Sequence, residues 1–124
     1  MLINLSNHPF AKWSKEQTQA AIHQYGNIVD MPFPQVDSNG NEAYISSLAD
    51  EYVSKIIDVA ADNCVVVHLM GEMTFTFALV CRLQRLGYSC VASTTERTVR
   101  ELDSGRREVW FKFTRFRMYE IVSV

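Results

Sequence analysis

Cys64-Val-Val-Val-His-Leu-Met70 is the stretch on which the fold turns. Every residue in it except His68 is apolar, the pattern of a strand buried on both faces at the centre of a parallel sheet. Gly71 stops the run, and Thr74 to Leu86 follows as a helix with a broad apolar face, closed by Gly87. Upstream, Ile45, Leu48, Ala49, Tyr52, Val53, Ile56, Ile57 and Ala60 recur at spacings of three and four. They form one helical stripe, with Asp50, Glu51, Lys55 and Asp58 on the opposite side. The chain begins with a strand, Met1-Leu-Ile-Asn-Leu5, ended by Ser6-Asn7-His8-Pro9. Ser14 with Gln17 three residues on is a capping-box pattern, and the helix it opens runs to Gly26. Asn27 to Phe33 reads as a short second strand, Asp37 to Asn41 as an exposed turn, and Ser89 to Ser93 as a fourth strand.

The end of the chain changes character. Thr95–Leu102 and Glu108–Tyr119 read as extended, separated by Asp103-Ser-Gly105-Arg106, a hairpin signal. A helix over Thr95–Leu102 is the rival reading, but β-branched Thr and Val are frequent there. In the last strand, regular alternation sets Val109, Phe111 and Phe113 on one face with Arg115, Arg117 and Tyr119. Trp110, Phe111 and Phe113 read as core. The expected fold class is α/β: a Rossmann-like three-layer sandwich with a parallel sheet of about four strands and a C-terminal antiparallel hairpin. Right-handed crossovers give the strand order 2-1-3-4 with the hairpin at one edge, in a single domain spanning residues 1–124.

Composition narrows the function. The hydrophobic content of 48% in 124 residues suffices for one core. A net charge of −2 argues against a bulk nucleic-acid coat, which requires a basic surface. It leaves room for a small anionic ligand, because bases gather late in the chain: Arg97, Arg100, Arg106, Arg107, Lys112, Arg115 and Arg117. Cys64, Cys81 and Cys90 are odd in number and form no CxxC, so buried reduced thiols are expected rather than disulfides or a zinc site. No charged-then-apolar leader opens the sequence and no apolar run reaches membrane-spanning length. The expectation is a cytoplasmic protein with no membrane contact, no metal and no cofactor.

The polar residues collect at strand ends. Ser6-Asn7-His8, the run from His68 to Glu72, and Ser93-Thr-Thr-Glu-Arg97 each follow an apolar strand. In open parallel sheets ligands bind outside the carboxyl ends of the strands. The three clusters therefore read as one site rather than scattered patches. Each also has a plainer reading: a strand-breaking loop around His8, a satisfied core histidine at position 68, and a polar edge strand with Arg97 paired to Glu96 or Glu101. The turn at Gly71, Glu72 and Thr74 offers helix N–H groups to a phosphate, or is only a tight strand-to-helix turn. Arg115 and Arg117 alternate on a strand and read as charges that blunt a sheet edge.

These residues resemble those of the small CRISPR-associated proteins of Rossmann-like fold, the group of CARF domains and standalone ring nucleases. CARF-type domains carry a Ser or Thr near the end of the first strand, matched by Ser6. After the fourth strand they carry an Asp or Asn, a Ser or Thr two residues on, and a Lys or Arg four further. Ser93 and Arg97 match the last two, while Val91 departs from the first. The resemblance implies a role in antiviral defence: a homodimer that binds a cyclic oligoadenylate messenger, cyclic tetra-adenylate being the expected ring. A metal-independent ring nuclease would cut it by attack of a ribose 2′-hydroxyl on the adjacent phosphate. On that reading Arg97 stabilises charge and His8 or His68 transfers the proton. Ser6, Asn7, Gly71, Glu72, Thr74, Ser93, Thr94, Thr95 and Arg100 hold the ligand. A non-catalytic sensor or sponge, or a small interaction subunit, is the alternative.

Overall fold

A computed structural model describes residues 1–122. Five strands and three α-helices alternate along the chain: β1 (Leu2–Ser6), α1 (Lys15–Tyr25), β2 (Ile28–Asp30), α2 (Glu42–Ala60), β3 (Val66–Met70), α3 (Met73–Arg85), β4 (Ser89–Glu101) and β5 (Arg107–Met118). A short 3₁₀ turn, Phe10–Lys12, precedes α1. Helix starts follow their local chemistry. Ser14 accepts from the Gln17 N–H at 3.2 Å, and Asn41 accepts from the Tyr44 N–H at 3.0 Å. Gly26 takes φ 84° directly after α1, a conformation that costs other residues strain. The second strand is shorter than Asn27–Phe33, because Pro32 and Pro34 supply no N–H to a ladder.

The sheet is mixed, with order β2-β1-β3-β4-β5. The first four strands are parallel and β5 runs antiparallel to β4. Alternation along β1 and β3 divides the core. Ile3, Leu5, Val67 and Leu69 face α2 and α3, packing with Ile56, Phe75, Leu79 and Leu83. Leu2 and Val91 face α1, packing with Ala21 and Phe116. On that second face β1 and β3 also carry polar residues: Asn4 sits level with His68 in the parallel register, and both are 2% exposed. At 25 cal/mol per Å² of apolar surface, each large buried side chain such as Phe75 contributes about 1.5–3 kcal/mol.

The hairpin differs from expectation in three ways. The fourth strand and the first hairpin strand are one element, the 13-residue β4, with no helix over Thr95–Leu102. β4 pairs with β3 only through Ser89, Cys90 and Val91. From Ala92 onward it has β5 alone for a neighbour, so the two strands leave the sheet as a ribbon. The second difference is a β-bulge. Thr94 pairs with Arg115 and Thr95 with Phe113, so Thr114 is an extra, unpaired residue. It breaks the alternation predicted for β5. Phe113 and Phe116, three apart in sequence, share the α1 face with ring centroids 5.0 Å apart, and Arg115 takes the other face with Thr94. The third is exposure: Phe111 and Trp110, expected in the core, are 68% and 44% exposed, because no element covers the ribbon. Among the described residues no helix is long and apolar enough to cross a membrane.

Candidate functional site

β1 and β3 lie side by side, and their outgoing connections diverge to opposite faces of the sheet. α1 returns over one face and α3 over the other, opening a cleft at the carboxyl ends of the strands. The cleft holds about 550 Å³, within the range of small-molecule sites. Ser6, Asn7 and His8 border it from β1, His68 and Gly71 from β3, and Ser93 and Thr95 from β4. The three sequence clusters therefore meet. Gly71 is required by its neighbour, since a Cβ there would run into the Phe33 ring.

The floor is a hydrogen-bond network built on Asn4. Its Nδ2 donates to Asp30 Oδ1 and to the His8 carbonyl, both at 2.9 Å. Both partners are acceptors, so the amide orientation is fixed and Oδ1 turns toward His68. That oxygen lies 2.9 Å from His68 Nδ1 and accepts the Ser6 hydroxyl at 2.8 Å. His68 Nδ1 must then carry the hydrogen, which leaves Nε2 as a bare lone pair. Nε2 is buried and has no partner among the described residues. The His8 carbonyl also accepts from Trp13 Nε1 at 3.0 Å, which brings the indole edge-on to the imidazole, 5.1 Å between centroids. Phe116 meets the same imidazole edge-on at 5.6 Å. Burial among these rings, with the His8 charge adding to it, lowers the His68 pKa from 6.5 to about 4. At neutral pH His68 is an uncharged acceptor.

The walls supply the remaining chemistry. Among the described residues Lys12 is the Lys or Arg that borders the cleft, and no carboxylate does. The Ser93 N–H and hydroxyl both lie 3.2 Å from the Met70 sulfur, a weak acceptor that a ligand oxygen displaces readily. Trp13, Phe111 and Phe113 give aromatic surface. Lys12, Trp13, Ser14 and Gln17 enter because the 3₁₀ turn folds the β1–α1 connection back over the strand ends. Sequence reasoning passed over these four, and Asn4 as well. The available signal was one polar residue in each of two central apolar strands, Asn4 and His68.

Five expected site residues stand elsewhere. Glu72 caps α3: its carboxylate accepts the Thr74 N–H at 2.8 Å, the Phe75 N–H at 2.9 Å and the Thr74 hydroxyl at 2.7 Å. Those bonds, the Phe75 N–H foremost, lower the Glu72 pKa. The helix N-terminus expected to cradle a phosphate is thus occupied by the chain's own anion, and Glu72 and Thr74 are spent on it. Thr94 lies between Ser93 and Thr95, so the pleat turns it away from the cleft, and its hydroxyl donates to the Arg115 carbonyl at 3.1 Å. Arg100 shares that away-facing side by the same alternation. Arg97 lies on the cleft side of the ribbon, opposite Phe111, but beyond the cleft itself, and it makes no ion pair among the described residues.

The three cysteines are free. Cys90 is buried and its thiol is pushed up to about 12 by desolvation, but Cys64 is exposed, against the expectation of burial. Among the described residues no group of three or more His, Cys, Asp or Glu side chains is placed to hold a metal ion.

Fold and site together define an α/β protein with a small-molecule-sized cleft at the carboxyl ends of its parallel strands, bordered by no carboxylate among the described residues. The chain matches the model of the family described as Uncharacterized protein MJ1673 family over residues 1–117, and it belongs to that family. No curated protein and no solved structure matches it.

Proposed function

We propose that the cleft binds a cyclic oligoadenylate, cyclic tetra-adenylate being the ring to test first, and cleaves it without metal as a ring nuclease of CRISPR-associated antiviral defence. The proposal takes the chain as a Rossmann-like, CARF-like protein acting as a cytoplasmic homodimer, with each copy's cleft taking part of the ring. The observation that carries it is His68, which lines the cleft with its Nε2 lone pair buried and unpartnered among the described residues, beside Lys12 and, among those residues, no bordering carboxylate. A lone pair so placed accepts the proton of a ribose 2′-hydroxyl. The freed oxygen bonds to the adjacent phosphorus, the bond from phosphorus to the 5′-oxygen breaks, and the leaving oxygen takes a proton from water. The product ends in a 2′,3′-cyclic phosphate. Lys12 offsets the charge that develops on the phosphoryl oxygens, while Ser6, Ser14, Ser93 and Thr95 offer hydroxyls to the backbone. Trp13, Phe111 and Phe113 give stacking surface for adenine.

One observation favours a second reading, a sensor or sponge that holds the ring intact. A histidine with a pKa of about 4 is uncharged at neutral pH and accepts a hydrogen bond, but it is a weak base there. Incubation with labelled cyclic tetra-adenylate in EDTA separates the two. Shortened products with cyclic phosphate ends support the nuclease, and intact retained ligand supports the sensor. Neither binding nor cleavage removes both.

A further inference from the structure

The β4–β5 ribbon is long, has no other strand beside it beyond Ala92 among the described residues, and exposes Val99, Val109, Trp110 and Phe111. A two-stranded ribbon is marginally stable in water on its own, and clustered exposed apolar side chains mark an interaction surface. Register assigns its two sides. Thr95 with Phe113, Arg97 with Phe111, and Val99 with Val109 form the side continuous with the cleft. Glu96 with Lys112, Thr98 with Trp110, and Arg100 with Glu108 form the other. On the cleft side Phe111 is 68%, Val99 45% and Val109 42% exposed.

We propose that this side of the ribbon is an arm that grips a second copy of the chain. The inference rests on the homodimer in the function proposed above and names the surface that forms it. Charge argues for this occupant. On this side Glu101 and Arg107 pair with each other and Arg97 makes no ion pair among the described residues, while residues 1–91 carry five bases and nine acids, so the arm's unpaired positive charge meets a negative body in another copy. A nucleic acid suits the ribbon less well. Glu96, Glu101 and Glu108 face Lys112, Arg107 and Arg100 across the strands and balance nearly half of its bases internally. Aromatic and Arg side chains with few Lys are also the composition of protein interface cores. In a two-fold contact each copy's arm lies on the other's body, so the same pair of surfaces meets twice.

Sedimentation velocity on the wild-type chain tests the arm without any ligand. The expected species has twice the 14.2 kDa chain mass. Val99→Glu/Val109→Glu weakens association at least tenfold, whereas Trp110→Glu, on the far side, leaves it unchanged. A monomeric wild type overturns the proposal, as does a folded Val99→Glu/Val109→Glu chain that still dimerises, whether the true partner is a nucleic acid or another protein. If that variant fails to fold, hydrogen exchange on the wild type decides: protection of amides 95–111 that rises with protein concentration supports the arm, and concentration-independent exchange refutes it. A monomer that still takes up cyclic tetra-adenylate refutes the arm alone, and a dimer indifferent to the ring refutes the function alone.

Discussion

Acidifying the solution should destabilise this protein through one buried imidazole. His68 is neutral in the fold, with its pKa lowered from 6.5 to about 4 by burial and by the nearby His8 charge. In the unfolded chain the same ring takes up a proton near pH 6.5, so below that pH the unfolded state binds more protons than the folded one. Stability therefore falls as the pH drops from about 6.5 to about 4, and the effect levels off once both states are protonated. At 1.36 kcal/mol per tenfold change in proton affinity, the drop corresponds to about 3 kcal/mol. That is a large share of the roughly 5–15 kcal/mol that holds a domain together. Urea melts of the wild type and of His68→Phe, followed from about pH 7 to about pH 4.5, isolate it, because carboxylate titration is common to both chains. The wild type should lose about 2.4 kcal/mol more than the variant over that range, the remainder following below about pH 4.5. Parallel curves would refute the reasoning, as would an NMR titration that finds the His68 ring near its ordinary value.

Asn4→Asp places a carboxylate beside His68 Nδ1 and should raise the His68 pKa by about 1–3 units, read by NMR titration. The same change sets a second carboxylate against Asp30, so the variant should also melt at a lower temperature. Gly71→Ala drives a methyl group into the Phe33 ring and should cost about 1–3 kcal/mol in a urea melt, with no loss if the ring swings clear. Lys12→Ala should weaken binding of cyclic tetra-adenylate about tenfold or more, and an unchanged Kd in a folded variant would remove Lys12 from the site.

Elements whose burial is uniform were legible in the sequence. The apolar run before Met70 could only be a two-sided central strand, and its position with β1 fixed where the outgoing connections part. Seven expected residues border the cleft for that reason: they follow strand ends, and strand ends in this sheet converge. The errors share a physical cause as well. Glu72 reads as a ligand contact because sequence shows that a helix begins there, but not that its own carboxylate turns back onto the free N–H groups. Lys12 and Ser14 were passed over because their route to the cleft depends on a 3₁₀ turn with no side-chain cap. Hydropathy assigns Trp110, Phe111 and Phe113 alike to the core, and only Phe113 packs there, since no composition reveals that a strand has outrun its sheet.

Thr114 adds one residue to β5 and nothing to its pairing. Such an insertion bends a strand and tightens its twist. Removing it would keep every cross-strand partner and every side assignment, yet straighten the hairpin. The direction in which the hairpin projects is thus set separately from the contacts that hold it together. Lengthening or shortening the chain by a single unit at this corner would re-aim an otherwise unchanged limb.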